Sequence, residues 1–298
     1  MTPTSHSKAI IKALTSVSAS GHSYSNIFDD WLDLCVASME RLPEHIKATA
    51  AGLPMTDTPE TEQLFQRIKS RYDNKDYILQ AFAQAFASLM ESVNDGYDDV
   101  IGQVYMEWNV SNKHAGQFFT PWNIAKCMAE MTMMDTEQLI HSRIKAAIEK
   151  SPAATAALFA SICIQDKDEA WAWYVERVLP LAIEFYDPVT VMDCCCGSGV
   201  MFLAAASCLP QWMVQLGLVQ FYGMDIDETC VKMARLNCYL YGLNGFGILC
   251  ILDTPLSKKI PDQVPAPLAI LYDKARTFQS LGDRSDSGQR SYPTNQIW

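Results

Sequence analysis

The stretch from Val191 to Leu203, V-M-D-C-C-C-G-S-G-V-M-F-L, constrains the fold more than any other part of the chain. Pro188 to Met192 is apolar and β-branched and predicts a strand, Asp193 ends it, and Gly197-Ser198-Gly199 turns the chain into a helix-forming run from Met201 to Cys208. An acid followed by G-x-G at the carboxyl end of a strand is where a doubly wound sheet takes a nucleotide-like ligand. The fold class expected is therefore α/β. A second acid closes the next apolar run, Leu218 to Tyr222, at Gly223-Met224-Asp225. In this architecture such an acid accepts hydrogen bonds from ribose hydroxyls, which makes Asp225 the ribose-binding candidate. A dinucleotide fingerprint is excluded, because its third glycine would fall on Phe202.

With 298 residues, 49% of them hydrophobic, the chain can bury one large core or a core plus a smaller helical domain. No run of eighteen apolar residues occurs and the first seven residues are polar, so neither a membrane span nor a signal peptide is expected, and the expected location is the cytoplasm. Ten cysteines without framework spacing suit reduced thiols in a cell. Cys194, Cys195 and Cys196 are adjacent, so their side chains cannot converge on one ion, and no metal is expected. A net charge of −11 makes the chain a poor nonspecific DNA binder, so contact with DNA would need a local basic patch or a partner.

Along the chain, Met1 to Ser25 is rich in serine and threonine and is expected to be frayed at its start. Asn26 or Asp29 would cap a first helix that buries Phe28, Trp31, Leu32 and Cys35 and wets Asp29, Asp30 and Asp33. Pro43, Gly52, Pro54 and Pro59 predict a linker, and Thr61 to Arg71 a charged helix. Arg67, Lys69, Arg71 and Lys75 form the densest basic cluster, read as a solvated face ahead of a phosphate-contacting surface. From Tyr77, residues Leu79, Phe82, Phe86, Leu89, Met90 and Val93 share one helical face. Thr120-Pro121 reads as a cap and first-turn proline for a helix from Trp122 to Met131. Two further helices are expected between Asp135 and Pro188, and clustered aromatics there read as core. Asp227 would cap a helix from Glu228 to Tyr241, and Phe246 to Leu252 reads as a third strand.

Three ordered segments resemble the S-adenosylmethionine-dependent adenine-N6 DNA methyltransferases related to the modification subunits of type I restriction systems. They are Gly116-Gln117-Phe118-Phe119-Thr120-Pro121, D-C-C-C-G-S-G-V-M-F-L from Asp193, and F-Y-G-M-D-I-D ending at Asp227. The resemblance implies a Rossmann-like methyltransferase sheet, truncated at its C-terminal side and preceded by a helical N-terminal domain. It divides the chain into residues 1–110, a methyltransferase-like domain 111–275 with a helical insertion at about 135–187, and a polar tail 276–298. It implies S-adenosylmethionine as cofactor, held by Gln117, Phe118, Phe119, Thr120, Pro121, Asp193, Cys194, Gly197, Ser198, Gly199, Asp225, Ile226 and Asp253. Within that set, Thr120 and the backbone of 117–120 would take the cofactor's carboxylate, and Asp253 would touch its adenine amino group.

The same resemblance sets an expectation that the sequence does not meet. The family carries Asn- or Asp-Pro-Pro followed by Tyr or Phe at the end of a fourth strand, where side-chain and carbonyl oxygens accept from the amino group of a flipped-out base and the ring stacks on it. This chain has 14 prolines and no adjacent pair, and Tyr272-Asp273-Lys274 follows the apolar run that begins at Leu268. No catalytic residue is assigned. Three readings stay open: a methyltransferase, a silent cofactor-binding subunit or regulator of a DNA-modifying complex, and a protein-interaction module with a decayed pocket. DNA would be reached through a partner subunit or a basic patch, and a protein partner could supply specificity or the missing motif.

Overall fold

The computed structural model describes residues 4–108, 110, 118–243 and 245–250. The tail 276–298, the segment 268–275, Gln117 and Asp253 lie outside the described residues. Five helices come first: α1 (Ser5–Ser18), α2 (Tyr24–Ala50), α3 (Pro59–Arg71), α4 (Asp76–Ser92) and α5 (Val100–Glu107). Each N-terminus but one has a side-chain cap: Thr4 accepts from the Ser7 amide, Ser23 from Asn26, Thr58 from Thr61 and Asp99 from Gly102, while α4 has none.

Several expectations change here. The serine-rich start forms α1, whose Ile10, Leu14 and Val17 are fully buried against the rest of the helical core. Ser23, not Asn26 or Asp29, caps α2. Pro43 lies inside α2 instead of ending it, since the helix is largely exposed beyond Met39 and water can take the carbonyl that the proline leaves unpaired. The buried face of α4 is Ile78, Ala81, Phe82, Ala85 and Leu89, and Met90 stands outside it.

The acids of α2 are not a wet face. Asp30 is buried, with Arg71 Nη1 2.6 Å from one oxygen and the Tyr72 hydroxyl donating to the other at 2.8 Å. Burial, then the bond to Asp30 and its charge, pushes the Tyr72 hydroxyl's pKa up. Arg67 pairs with Asp33 at 3.7 Å and Lys75 with Asp73 at 3.1 Å. Three of the four residues of the basic cluster thus have acidic partners within the chain.

After the signature turn come α6 (Trp122–Thr132), α7 (Thr136–Lys150), α8 (Pro152–Ser161), α9 (Lys167–Trp173) and α10 (Leu179–Ala182). A π-helical turn, Tyr174–Val178, joins the last two. Pro180 has no N–H to continue an α-helical ladder, and a wider turn at that point is the usual response. Trp171, one of the clustered aromatics expected in the core, is 45% exposed.

The sheet has three parallel strands in the order β1 (Val189–Asp193), β2 (Val219–Asp225), β3 (Gly245–Cys250). Between β1 and β2 run α11 (Val200–Ala206) and α12 (Gln211–Gln215); between β2 and β3 runs α13 (Glu228–Leu240), capped by Asp227 through the Thr229 amide as its sequence predicts. Among the described residues no helix is long and apolar enough to cross a membrane.

The helix α13 belongs to both cores. Val231, Ala234 and Cys238 pack with the sheet and with α7, α8 and α10, while Cys230, Met233 and Leu236 pack with α1 to α5. Its polar edge is tied to α2 at three levels. The Thr229 hydroxyl donates to Asp29 at 2.9 Å, Lys232 Nζ lies 2.6 Å from Asp33, and the Tyr239 hydroxyl donates to Glu40 at 3.2 Å with Arg235 3.8 Å from the same carboxylate. Partners advance together along both helices, so the two run in the same direction.

Candidate functional site

Strand register brings the two sequence-predicted acids to one edge. Asp193 pairs with Gly223, which puts Asp225 two residues farther along β2 at the carboxyl end of the sheet. Position 223 has no room for a side chain, because a β-carbon there would lie 2.8 Å from the Phe202 ring and 3.1 Å from Cys196 Sγ. The turn between β1 and α11 is then fastened to β2. The Cys196 amide donates to the Met224 carbonyl at 3.0 Å, and the Gly197 amide donates to Asp225 Oδ2 at 2.9 Å. Asp225 Oδ1 accepts from the Asp227 amide at 3.0 Å, and Asp193 Oδ1 accepts from the Cys195 amide at 3.0 Å. Gly197 and Gly199 have φ of +53° and +84°, the left-handed conformation that glycine adopts without penalty. At Gly199 a β-carbon would also come 3.2 Å from Ala234 of α13, so this glycine permits the helix to lie on the turn.

The third segment meets the same turn. Phe119 stacks on Tyr105 of α5, centroids 5.3 Å apart at 14°, and its edge lies over Gly197. Phe118 beside it is 86% exposed, and Thr120 is half-buried. Thr120 does not cap the next helix: Pro121 is the cap residue, its carbonyl accepting from the Ile124 and Ala125 amides at 2.9 and 3.0 Å, and no side chain caps α6. That leaves the Thr120 hydroxyl uncommitted to capping. Behind this turn, Ala125 and Ala129 of α6 meet Val200 and Ala204 of α11 in a small, fully apolar contact that only short side chains allow. The structure therefore brings Phe119, Thr120, Asp193, the glycine turn and Asp225 into one neighbourhood. Cys194, Cys195 and Ile226 are exposed on its rim, Ile226 at 66%.

Ser198 faces the other way. It is buried, and its hydroxyl donates to Asp99 Oδ2, at the start of α5. Asp99 Oδ1 accepts from the Gly102 amide and from Asn237 Nδ2, both at 3.0 Å, and the Asn237 amide also donates to the Ser198 carbonyl at 2.8 Å. No lysine or arginine accompanies this buried carboxylate among its hydrogen-bond partners. The sequence marks Asp99 only as the start of a segment resembling the family's lead-in to its Gly-Gln-Phe-Phe-Thr-Pro turn and Asn237 only as part of a packed helix face, because the partners that join them lie 39 to 138 residues apart.

Electrostatics are set by burial. Desolvation raises the Asp193 carboxyl above its ordinary value of 3.8, the Cys195 amide pulls it back and the charge of Asp225 pushes it up again. Asp99 is likewise raised by burial, against the pull of Ser198, Gly102 and Asn237. Burial raises the Cys196 thiol, with the two neighbouring carboxylates adding to it, so this thiol is not a ready nucleophile. Among the described residues no group of three or more His, Cys, Asp or Glu side chains gathers as a metal site would require.

Concave clefts of about 430 and 330 Å³ lie elsewhere, between α7, α8 and the helix from Lys167, where Trp171, Tyr174 and Trp212 cluster. Neither touches the glycine turn. The site at the sheet edge is instead formed by acids, glycine backbone and an aromatic ring.

The family described as N-6 DNA Methylase matches residues 174–266, just under a third of the chain, and the matched segment holds β1, the glycine turn, β2, α13 and β3. No curated protein matches. Among solved structures, the methyltransferase subunit of a type I restriction-modification system from Streptococcus thermophilus aligns with 87% of this chain at 15% identity and a TM-score of 0.34. The chain spans 61% of that subunit's length.

Proposed function

We propose that the sheet edge binds S-adenosylmethionine and that the chain acts in DNA modification as one part of a larger assembly, a reading supported by the match of residues 174–266 to the N-6 DNA Methylase family. The observation that carries the reading is the bond from the Gly197 amide to Asp225, with Phe119 closing over the same glycine. Three segments far apart in the chain converge there, and each holds the residue types a nucleoside with a charged amino-acid tail requires.

The donor and acceptor set fits that ligand. Each Asp225 oxygen accepts one backbone N–H and retains a second lone pair, which suits a pair of ribose hydroxyls. Asp193 offers a carboxylate to the ligand's positive groups, and the Thr120 hydroxyl can donate to its carboxylate. Exposed Ile226 offers an apolar surface to the adenine face, and glycine at 197 lets backbone approach closely. When bound, S-adenosylmethionine supplies a methyl group activated on a sulfonium. This chain's own residues bind and orient; a Pro-Pro tetrapeptide to accept from an adenine amino group is absent from the sequence.

A second reading within the same assembly is a cofactor-binding subunit whose partner donates the base-handling motif and the DNA contacts. The internal pairing of Arg67, Arg71 and Lys75 and the net charge of −11 support it, since the densest basic cluster is largely paired with acids and the chain as a whole is acidic. Calorimetric titration of the full chain with S-adenosylmethionine, without DNA, tests the proposal. Saturable binding that Asp225→Ala weakens tenfold or more, about 1.4 kcal/mol, is expected; absence of heat and of any thermal shift at millimolar ligand, an order-of-magnitude ceiling for a weak site, would reject it.

A further inference from the structure

Four buried groups from three distant segments meet behind the glycine turn: Asp99 and Gly102 at the start of α5, Ser198 in the turn and Asn237 on α13. Asp99 is their hub, since its two oxygens take donors from all three segments. We propose that Asp99 is a positioning residue for the cofactor turn, holding Ser198 so that the Gly197 amide faces Asp225 and its α-carbon faces Phe119; the claim about affinity rests on the functional reading above.

Three observations carry it. A buried carboxylate without a cation is costly unless its lone pairs are filled, so a fold retains one only where the hydrogen bonds it organises are needed. The turn has little else to hold it on this side, because the Ser198 side chain and the Ser198 carbonyl both bond into the same cluster. Gly102 is shaped to the cluster as well: a β-carbon there would lie 2.1 Å from Asp99 Oδ2 and 2.8 Å from Ser198 Oγ. The same helix presents Tyr105 to Phe119, so α5 positions the turn from below through Asp99 and from above through the stacked rings. Any shift of α5 is thereby passed to both walls of the site.

The test uses the full chain and two measurements. Amide hydrogen exchange without ligand is compared for the wild type, Asp99→Ala, Ser198→Ala and Asp99→Asn. Asparagine keeps an acceptor for Gly102 and Asn237 and can take Ser198 as an acceptor instead of a donor, so it is the conservative rescue. Exchange of the 195–199 amides is expected to rise about tenfold in the two alanine variants, to stay within about threefold in Asp99→Asn, and to be unchanged in α1 to α4. Affinity for S-adenosylmethionine is expected to fall and recover in the same order. Unchanged exchange in the turn overturns the proposal, and so does an equal rise throughout α1 to α4, which would make Asp99 a support of the fold at large. If the wild type binds no S-adenosylmethionine while the exchange pattern holds, the functional reading fails and the positioning role stands.

Discussion

The edge of the Phe119 ring lies so close to Gly197 that a β-carbon on the glycine would sit 3.3 Å from Cε1. Phe119 and the glycine turn are thus in van der Waals contact, and a side chain at position 197 would push the ring back by a few tenths of an ångström.

Gly197→Ala therefore meets two obstacles, a left-handed φ of +53° and the ring above it. The backbone strain alone is worth about 1–2 kcal/mol. Urea unfolding is expected to show a loss of that size, and ligand affinity a larger relative loss, since relief requires Phe119 to move off the turn.

Arg71→Ala is expected to destabilise the chain without altering any nucleic-acid affinity. Removing the guanidinium leaves Asp30 buried with only the Tyr72 hydroxyl beside it. Broken buried pairs cost about 3–5 kcal/mol, and because the Arg71 side chain is 40% exposed the expectation is discounted to about 2 kcal/mol. Thermal unfolding measures the first part and a DNA titration at two salt concentrations the second. Asp30→Asn combined with Arg71→Ala should recover much of the loss.

Asp193 ties stability and affinity to pH with opposite signs. Its folded pKa is raised above 3.8, so as pH climbs from 3.8 through the folded value the native state holds a proton that the unfolded chain has released. Its contribution to stability falls across that window and is flat above it. Asp193→Asn should gain stability relative to the wild type as pH rises through the same window, as read from melting curves. Affinity for a cationic ligand moves the other way, strengthening as the carboxyl ionises, and the substitution should flatten that dependence.

Phe202→Ala removes a fully buried ring that packs edge-on against Phe221 and fills the space that Gly223 leaves open. The expected cost is about 3–5 kcal/mol. Chemical denaturation should show it, together with loss of the Gly197 to Asp225 register as seen in the exchange of the Gly197 amide.

The sheet edge was legible because its signals are local. Apolar runs ending in Asp193 and Asp225, and glycines where φ is positive, state the strand ends and the turn within a dozen residues. Strand β3 and the Asp227 cap were legible for the same reason. What escaped depends on partners far along the chain. Asp30 looks like a solvated residue until Arg71 and Tyr72 reach it, and Asp99 looks like a helix cap until Ser198 and Asn237 do. The helix α1 was hidden by serines on its exposed side, although Ile10, Leu14 and Val17 have helical spacing. Pro43 was read as a stop because sequence alone does not say whether water can reach the carbonyl it orphans.

Helix α13 presents Met233 and Leu236 to one core and Ala234 and Cys238 to the other. A polypeptide cut between the helical half and the sheet would strand one of those faces in water, whichever side kept the helix. The two halves should consequently melt in a single calorimetric transition, and neither should be obtainable as a soluble fragment.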